Sequence, residues 1–452
     1  MRTNLTSGPI FKTLLLYSLP LMITNVVGVL FHTADTAVLA FMAGDEAVAA
    51  VGACGSLFTL LTTLFTCFAT GANVLVARLI GAKDELGVRR ATGTALVIGL
   101  GAGVILMVFA VIFAKDLLTL MQCQPDVLDQ ATLYMRIYFL GMPITMLYSF
   151  IAALLRASGD SVRPMKYMLI AGVLNVGLNV LFVGLFGLAV AGVAVATVLS
   201  NLVSLILGLN AMIRSRGMCR IERQHLRLRR YEFLEMLKIA LPSCLGAMFF
   251  FVSNAIISAT VNGMSTDAMA ANAYASQFDG FIYTVGTAIA SATAVMVGQN
   301  FGAGQLDRIK KTIGVSVAYV TAVSLIMGVS FVLLADPLLS ILTDSTEIIA
   351  IAKGRMTFLC LTYFVTSIME VYSFSLRSLR RQNATMVVSG ICGFGVRCTW
   401  TWFVWPHFGT LDMLFVCYTV SAALAIICYL FIYRQTVNRL KIMFSKTEAV
   451  HT

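Results

Sequence analysis

Charge is scarce in this chain. Asp, Glu, Lys and Arg make up only 12% of its 452 residues, and mean hydropathy is +0.89. A soluble domain of this size carries about 25% charged residues, so the sequence does not read as a water-facing enzyme. Histidine is also sparse. The four residues, His32, His225, His407 and His451, are dispersed, with only His32 well inside an apolar run. That spacing supports neither a metal centre nor a nucleophile–base pair of the kind a membrane-embedded enzyme needs. The ten cysteines lack zinc-ligand spacing and fall mostly in apolar runs, where a thiol packs as a small hydrophobe. A cleavable leader is not expected, because Met1 to Gly8 is polar and the following run is too long for one.

Long apolar runs, by contrast, recur from end to end. They lie near 12–40, 48–72, 91–114, 132–155, 165–186, 188–212, 236–261, 268–298, 312–335, 356–376, 384–405 and 411–433. Each is close to the ~20 residues that cross a bilayer as a helix, so an all-α integral membrane protein of about twelve spans is expected. The net charge of +11 is not spread as a nucleic-acid patch. Alternate loops hold 27 of the 32 basic residues: Arg2 and Lys12, Arg78–Arg90, Arg156–Lys166, Arg214–Lys238, Arg308–Lys311, Arg377–Arg381 and Arg434–Lys446. The opposite loops are expected to hold Lys115, Arg136, Lys353 and Arg355. The positive-inside rule then places both termini in the cytoplasm.

The chain also repeats itself at an offset of 221 residues. Glu46–Ala50 falls on Asp267–Ala271, Val74–Val76 on Val295–Val297, and Leu155-Arg156 on Leu376-Arg377. Two equivalent six-helix lobes follow, the usual construction of a secondary transporter. The expected division is a first lobe over 1–212, a cytoplasmic linker over 213–235, a second lobe over 236–435 and a cytoplasmic tail over 436–452.

Polar groups inside the spans are costly and therefore informative. Asp35, His32, Gly28 and Asn25 share one face of the first span at helical spacing. Gly172, Asn175 and Asn179 share a face of the fifth, and Thr197, Asn201 and Ser204 a face of the sixth. One carboxylate with several neutral oxygens suits a proton network or a small hard cation such as Na⁺. A plain hydrogen bond between His32 and Asp35 is the structural alternative. In the second repeat Asp279 aligns with Asn272, Ser276 and Tyr283, and Glu370 with Thr362, Thr366, Ser373 and Arg377. The position equivalent to Asp35 is Ile256, and those equivalent to Asp279 and Glu370 are Phe58 and Ser149, so the repeats share a scaffold but divide the chemistry. A strip of Met248, Phe249, Phe250, Phe251, Tyr274, Phe278, Phe281, Tyr283 and Met296 offers either a wall for flat organic cations or ordinary packing.

These residues carry a resemblance. Asp35-Thr36-Ala37-Val38-Leu39, Thr70-Gly71-Ala72-Asn73, Leu155–Asp160, Asn175–Asn179, Gly192–Thr197, Gln277-Phe278-Asp279, Gly298–Gly304 and Arg397 occur in the order found in multidrug and toxic compound extrusion (MATE) transporters. The chain is most similar to the DinF-like bacterial branch. The resemblance implies two pseudo-symmetric six-helix bundles in a bacterial cytoplasmic membrane. It implies export of organic cations against H⁺ or Na⁺, with no cofactor, no nucleic acid and a monomeric state. By position, Asp35, Asn175, Asn179 and Thr197 match the family's cation site. His32, Asn25, Asn201, Gln277, Asp279, Tyr283, Glu370 and Arg397 are the remaining cavity candidates. Family members often carry Asp where this chain has Asn179, and two nearby carboxylates can share a proton. Here Asp35 is the one acid of its cluster. A lipid-linked oligosaccharide flippase of the same superfamily is the nearest alternative, although such proteins usually have a more cationic cavity; a narrow-substrate metabolite exporter is the other.

Overall fold

The computed structural model describes residues 4–215 and 217–451; Arg2 and Arg216, counted above among the basic residues, lie outside them. Every regular element among the described residues is helical. In chain order these are α1 (Ile10–Ala43), α2 (Asp45–Gly81), α3 (Glu85–Leu120), α4 (Pro125–Leu140), α5 (Met142–Ala157), α6 (Val162–Asn179) and α7 (Ala189–Ile213). They continue as α8 (Arg230–Asn262), α9 (Thr266–Gly302), α10 (Leu306–Leu333), α11 (Ala335–Ser340), α12 (Thr346–Ser378), α13 (Gln382–Val388), α14 (Val396–Thr399) and α15 (Leu411–His451). Among the described residues eleven helical stretches are long and apolar enough to cross a membrane, twelve if α4 and α5, bent by 49° at their junction, form one span.

That bend has a local cause. Pro143 stands in the first turn of α5 and supplies no amide hydrogen to continue α4. The same residue is packed against α3, where a Cβ on Gly103 would lie 2.5 Å from Pro143 Cα. A few helix starts are capped by side chains. Asp84 accepts from Gly87 N at 2.8 Å, and Ser265 from Ala268 N at 3.1 Å. The helices owe little to segregated polar and apolar faces, because lipid as well as protein receives their apolar side chains.

The contacts divide the chain into two compact units. One is Ile23–Ala240; the other joins Asn4–Met22 to the chain from Leu241 onward. Helix α1 is thus shared, its first turns belonging to the second unit and its later turns to the first, with Pro20 inside it near the division. The core of the first unit packs Leu39, Ala50, Cys54, Ala110, Met135 and Phe139. That of the second packs Ala271, Ala275, Ile282, Ala352, Met356 and Cys360. Both contain small residues, and in the second they are the majority, which lets helix backbones approach where lipid removes the usual hydrophobic drive between helices.

The segment after α7 docks on the first unit. Arg89 Nη1 donates to Glu222 Oε1 at 2.7 Å, and Thr94 Oγ1 donates to the Arg227 carbonyl at 3.2 Å. Two long helices also widen into π-helical turns. Helix α6 becomes one over Val180–Leu185, and Ser389–Gly395 and Trp400–Val404 flank α14. Such turns re-aim the side chains beside them and recur at functional sites.

Candidate functional site

In the first unit α1 and α6 run in the same direction, and three contacts rise together along them. A Cβ on Gly172 would lie 1.7 Å from the Phe31 ring, so only glycine allows the ring to seat there. One turn beyond Phe31 on α1, Asp35 Oδ1 accepts a hydrogen bond from Asn179 Nδ2 at 2.6 Å. Further along, a Cβ on Gly184 would meet the Met42 sulfur at 3.0 Å. The π-helical turn begins directly after Asn179, so the side chain that meets Asp35 closes the last regular turn of α6.

A chain of weaker bonds leads on from this pair. Asn179 Nδ2 also reaches Asn175 Oδ1, and Asn175 Nδ2 reaches Thr197 Oγ1 on α7, both at 3.4 Å. Thr197 Oγ1 donates to its own helix at Val193 O, 2.9 Å away. The Asn179 amide oxygen is buried and has no hydrogen-bond partner among the described residues. The cluster therefore presents one partly buried carboxylate, an orphaned amide oxygen, a second amide oxygen and a hydroxyl. This donor set fits a small hard cation, which takes oxygen ligands. It equally fits a proton, because a protonated carboxyl gains the O–H donor that the ionised form lacks.

Not every expected residue joins this cluster. His32 is exposed, and the hydrogen bond to Asp35 comes from Asn179, not from His32, the structural alternative given above. Asn25 is exposed, ten residues earlier on α1. Asn201 donates to Thr145 Oγ1 on α5 at 3.1 Å and stands apart from the relay. The sequence reading also passed over Tyr134 and Tyr138 of α4, both within electrostatic range of Asp35. Tyr138 stacks on Phe58 with ring centroids 4.4 Å apart.

The second unit is charged differently. Asp279 on α9 meets Arg355 on α12 end-on, with both nitrogen–oxygen distances 3.3 Å. This corrects the placing of Arg355 in a loop. It lies inside α12, is 5% exposed, and its guanidinium sits 4.9 Å from the centre of the Phe415 ring. At the repeat offset Asp279 corresponds to Phe58 and Arg355 to Tyr134, so the ion pair stands where the first unit has two rings 5.5 Å apart. That offset was the signal that could have found Arg355.

Arg397 is 2% exposed. It donates from Nε to Ser421 Oγ at 3.1 Å, and from Nη1 to Ser253 Oγ at 3.3 Å and Asn254 Oδ1 at 2.9 Å. The rings of Phe250 and Tyr418 lie 5.2 and 4.6 Å from the guanidinium carbon. Its partners here are all neutral, so its charge is solvated by hydroxyls, an amide and ring faces. Tyr283 stacks on Phe250 at 5.7 Å. Glu370 is partly buried two turns before Arg377, whose Nη2 donates to Ser373 Oγ at 3.0 Å. Gln277 is exposed. The aromatic strip does not form one wall: Phe249 packs on Phe394, Phe278 on Phe331, and Met296 is buried in the core.

Comparison with known proteins agrees with this architecture. The family described as MatE matches residues 20–181 and 242–402, two stretches separated by the offset already seen in the sequence. Among curated proteins, the "Probable multidrug resistance protein YoeA" of Bacillus subtilis (strain 168) is 25% identical over 425 residues, which is 92% of this chain and 91% of that protein. The "Multidrug export protein MepA" of a Staphylococcus saprophyticus strain is 22% identical over 261 residues, 58% of each chain. A solved structure described as MATE in the bent conformation superposes with a TM-score of 0.89 at 20% identity, covering 98% of both chains. With its family match extending over more than half its length, this chain belongs to the MATE family and is a membrane transporter, not an enzyme.

Proposed function

We propose that the chain is an ion-coupled exporter of organic small molecules that works by alternating access, with Asp35 as the coupling carboxylate and H⁺ or Na⁺ as the coupling ion. The observation that carries this is the Asp35–Asn179 hydrogen bond beside the orphaned Asn179 oxygen. Arrival of a proton or Na⁺ cancels the carboxylate's charge and supplies the missing partner. The cluster then differs in charge and hydrogen bonding between its two states. A transporter needs such a difference, because a ligand shifts an equilibrium only through unequal affinity for the two forms. The relatives named for multidrug resistance and multidrug export support drug-like cargo. The excess of basic residues on alternate loops supports cytoplasmic termini in the bacterial inner membrane.

A second reading rests on Arg397, which is buried with only neutral hydrogen-bond partners among the described residues, whereas Arg355 is paired with Asp279. It favours cargo that carries an anionic group, as in a lipid-linked phosphate.

Efflux from cells expressing the chain tests both, with a pH gradient and a Na⁺ gradient imposed separately and with ethidium and an anionic dye as cargo. Ethidium efflux that follows one gradient supports the first reading and names the ion. Efflux of the anionic dye alone supports the second. Movement of neither dye under either gradient, with well-expressed protein, overturns export of such molecules.

A further inference from the structure

A cleft of about 1080 Å³ opens at the end of the second unit that carries its basic loops. It lies between the N-terminal segment Thr6–Phe11, the first turns of α10 and the last described side chains of α15. The N-terminal segment is fixed there by side chains. Arg308 Nη1 donates to Gly8 O and Nη2 to Ser7 O, both at 2.8 Å, and Asn300 Nδ2 donates to Leu5 O at 3.2 Å. Leu5 and Asn300 are fully buried, so this is a built wall and not a loose tail.

Four cationic side chains line the cleft, Arg308, Lys310, Lys311 and Lys441, against one acid, Asp307. Asp307 is spoken for by Lys310, 3.6 Å away. Among the described residues Lys311 and Lys441 have no ion pair, and Arg308 is bound to neutral carbonyls, so three positive charges are left without a carboxylate. The cap position of α10, Gln305, makes no side-chain bond to the first-turn amides, which point at the same end. Ile10, Phe11, Val315 and Phe444 add an apolar flank to the lining, and Phe11 is 54% exposed.

We propose that this cleft binds the phosphate of an anionic membrane phospholipid. Concentrated positive charge with helix amides is the chemistry of a phosphate. An apolar flank beside it, at the end of long apolar helices, is what an acyl chain needs and a free phosphate ion does not. A lipid held here bridges the N-terminal segment to α10 and α15, and so secures the first turns of α1 to the second unit.

The test is native mass spectrometry of the purified full chain titrated with phosphatidylglycerol or phosphatidylcholine. Three proteins are compared: the natural chain, the Lys310→Gln/Lys311→Gln/Lys441→Gln variant, and a Lys115→Gln/Arg136→Gln control on α3 and α4 of the first unit. The milder Lys311→Gln/Lys441→Gln variant keeps the Asp307–Lys310 pair and stands in if the triple variant does not elute as a folded protein. The natural chain should prefer phosphatidylglycerol by about fivefold or more, the triple variant should lose about fivefold and the milder one about threefold, with the control unchanged. Equal phosphatidylglycerol binding by natural and variant chains overturns the proposal. So does displacement of the lipid by millimolar inorganic phosphate, which would make the site one for the free ion.

Discussion

Asn179 donates its side-chain amide hydrogen to Asp35 Oδ1 at 2.6 Å while its own Oδ1 is buried with no hydrogen-bond partner among the described residues. The amide thus orients the carboxylate and offers an oxygen to whatever neutralises it. A hydrogen bond to a charged group is worth about 1.5–3 kcal/mol, on the order of tenfold or more in an equilibrium. Asn179→Leu should therefore cut gradient-driven efflux about tenfold at matched expression. Initial efflux rates check this, and a natural rate in the variant would remove Asn179 from the coupling site.

The Asp279–Arg355 pair makes a prediction about stability. Removing one partner of a buried pair strands a charge and costs about 3–5 kcal/mol, whereas replacing both by apolar groups is often neutral. Asp279→Phe and Arg355→Tyr should each lower the melting temperature of the purified protein. The double variant, which installs the pair of side chains found in the first unit, should recover most of the loss. Additive losses in this cycle would show that the pair is not a unit.

Gly172 is a steric prediction. A methyl group there meets the Phe31 ring at 1.7 Å, and overpacking of this kind costs about 1–3 kcal/mol. Gly172→Ala should reduce both thermal stability and efflux by parting α1 from α6 near Asp35. Phe31→Ala in the same chain should restore part of both. If efflux in Gly172→Ala is natural, the close approach does not position the site.

The linker carries a pH dependence. Gln224 donates to the Glu222 carboxylate, and Arg89 adds its charge and a second hydrogen bond, which holds this carboxyl below its ordinary value of 4.5. A depressed carboxyl contributes its stabilisation above the ordinary value and loses it as pH falls through the value in the folded protein. Docking of the linker on α3 should therefore be intact at neutral pH and loosen only in acid. Amide exchange of residues 222–229, corrected for intrinsic rates, should rise in acid, and Arg89→Gln should bring that rise to higher pH. Exchange independent of pH in both proteins would contradict the assignment.

Much of this architecture was legible before any coordinates. Apolar runs, alternating basic loops and the repeat offset give twelve spans in two equivalent sets, because membrane insertion is governed by local composition. Asp35, Asn175 and Asn179 were legible because an acid and two amides on helical faces are rare in apolar sequence. Arg355 was not. It stands two residues after Lys353, and together they lower the apparent hydropathy of the start of α12, which in the structure begins at Thr346, capped by Ser345. Its partner Asp279 lies on another helix, and such pairing depends on packing that no local pattern encodes. The break between α4 and α5 was hidden for the opposite reason: the run is apolar on both sides of Pro143, so hydropathy reads it as one span.

Purified protein in proteoliposomes tests the central claim most directly, with Asp35→Asn beside the natural chain. Substrate exchange with no ion gradient and uphill accumulation driven by an imposed gradient are measured on the same vesicles. The account predicts that Asp35→Asn still exchanges substrate but accumulates none uphill under either a proton or a Na⁺ gradient. Uphill accumulation by Asp35→Asn at the natural rate would contradict it.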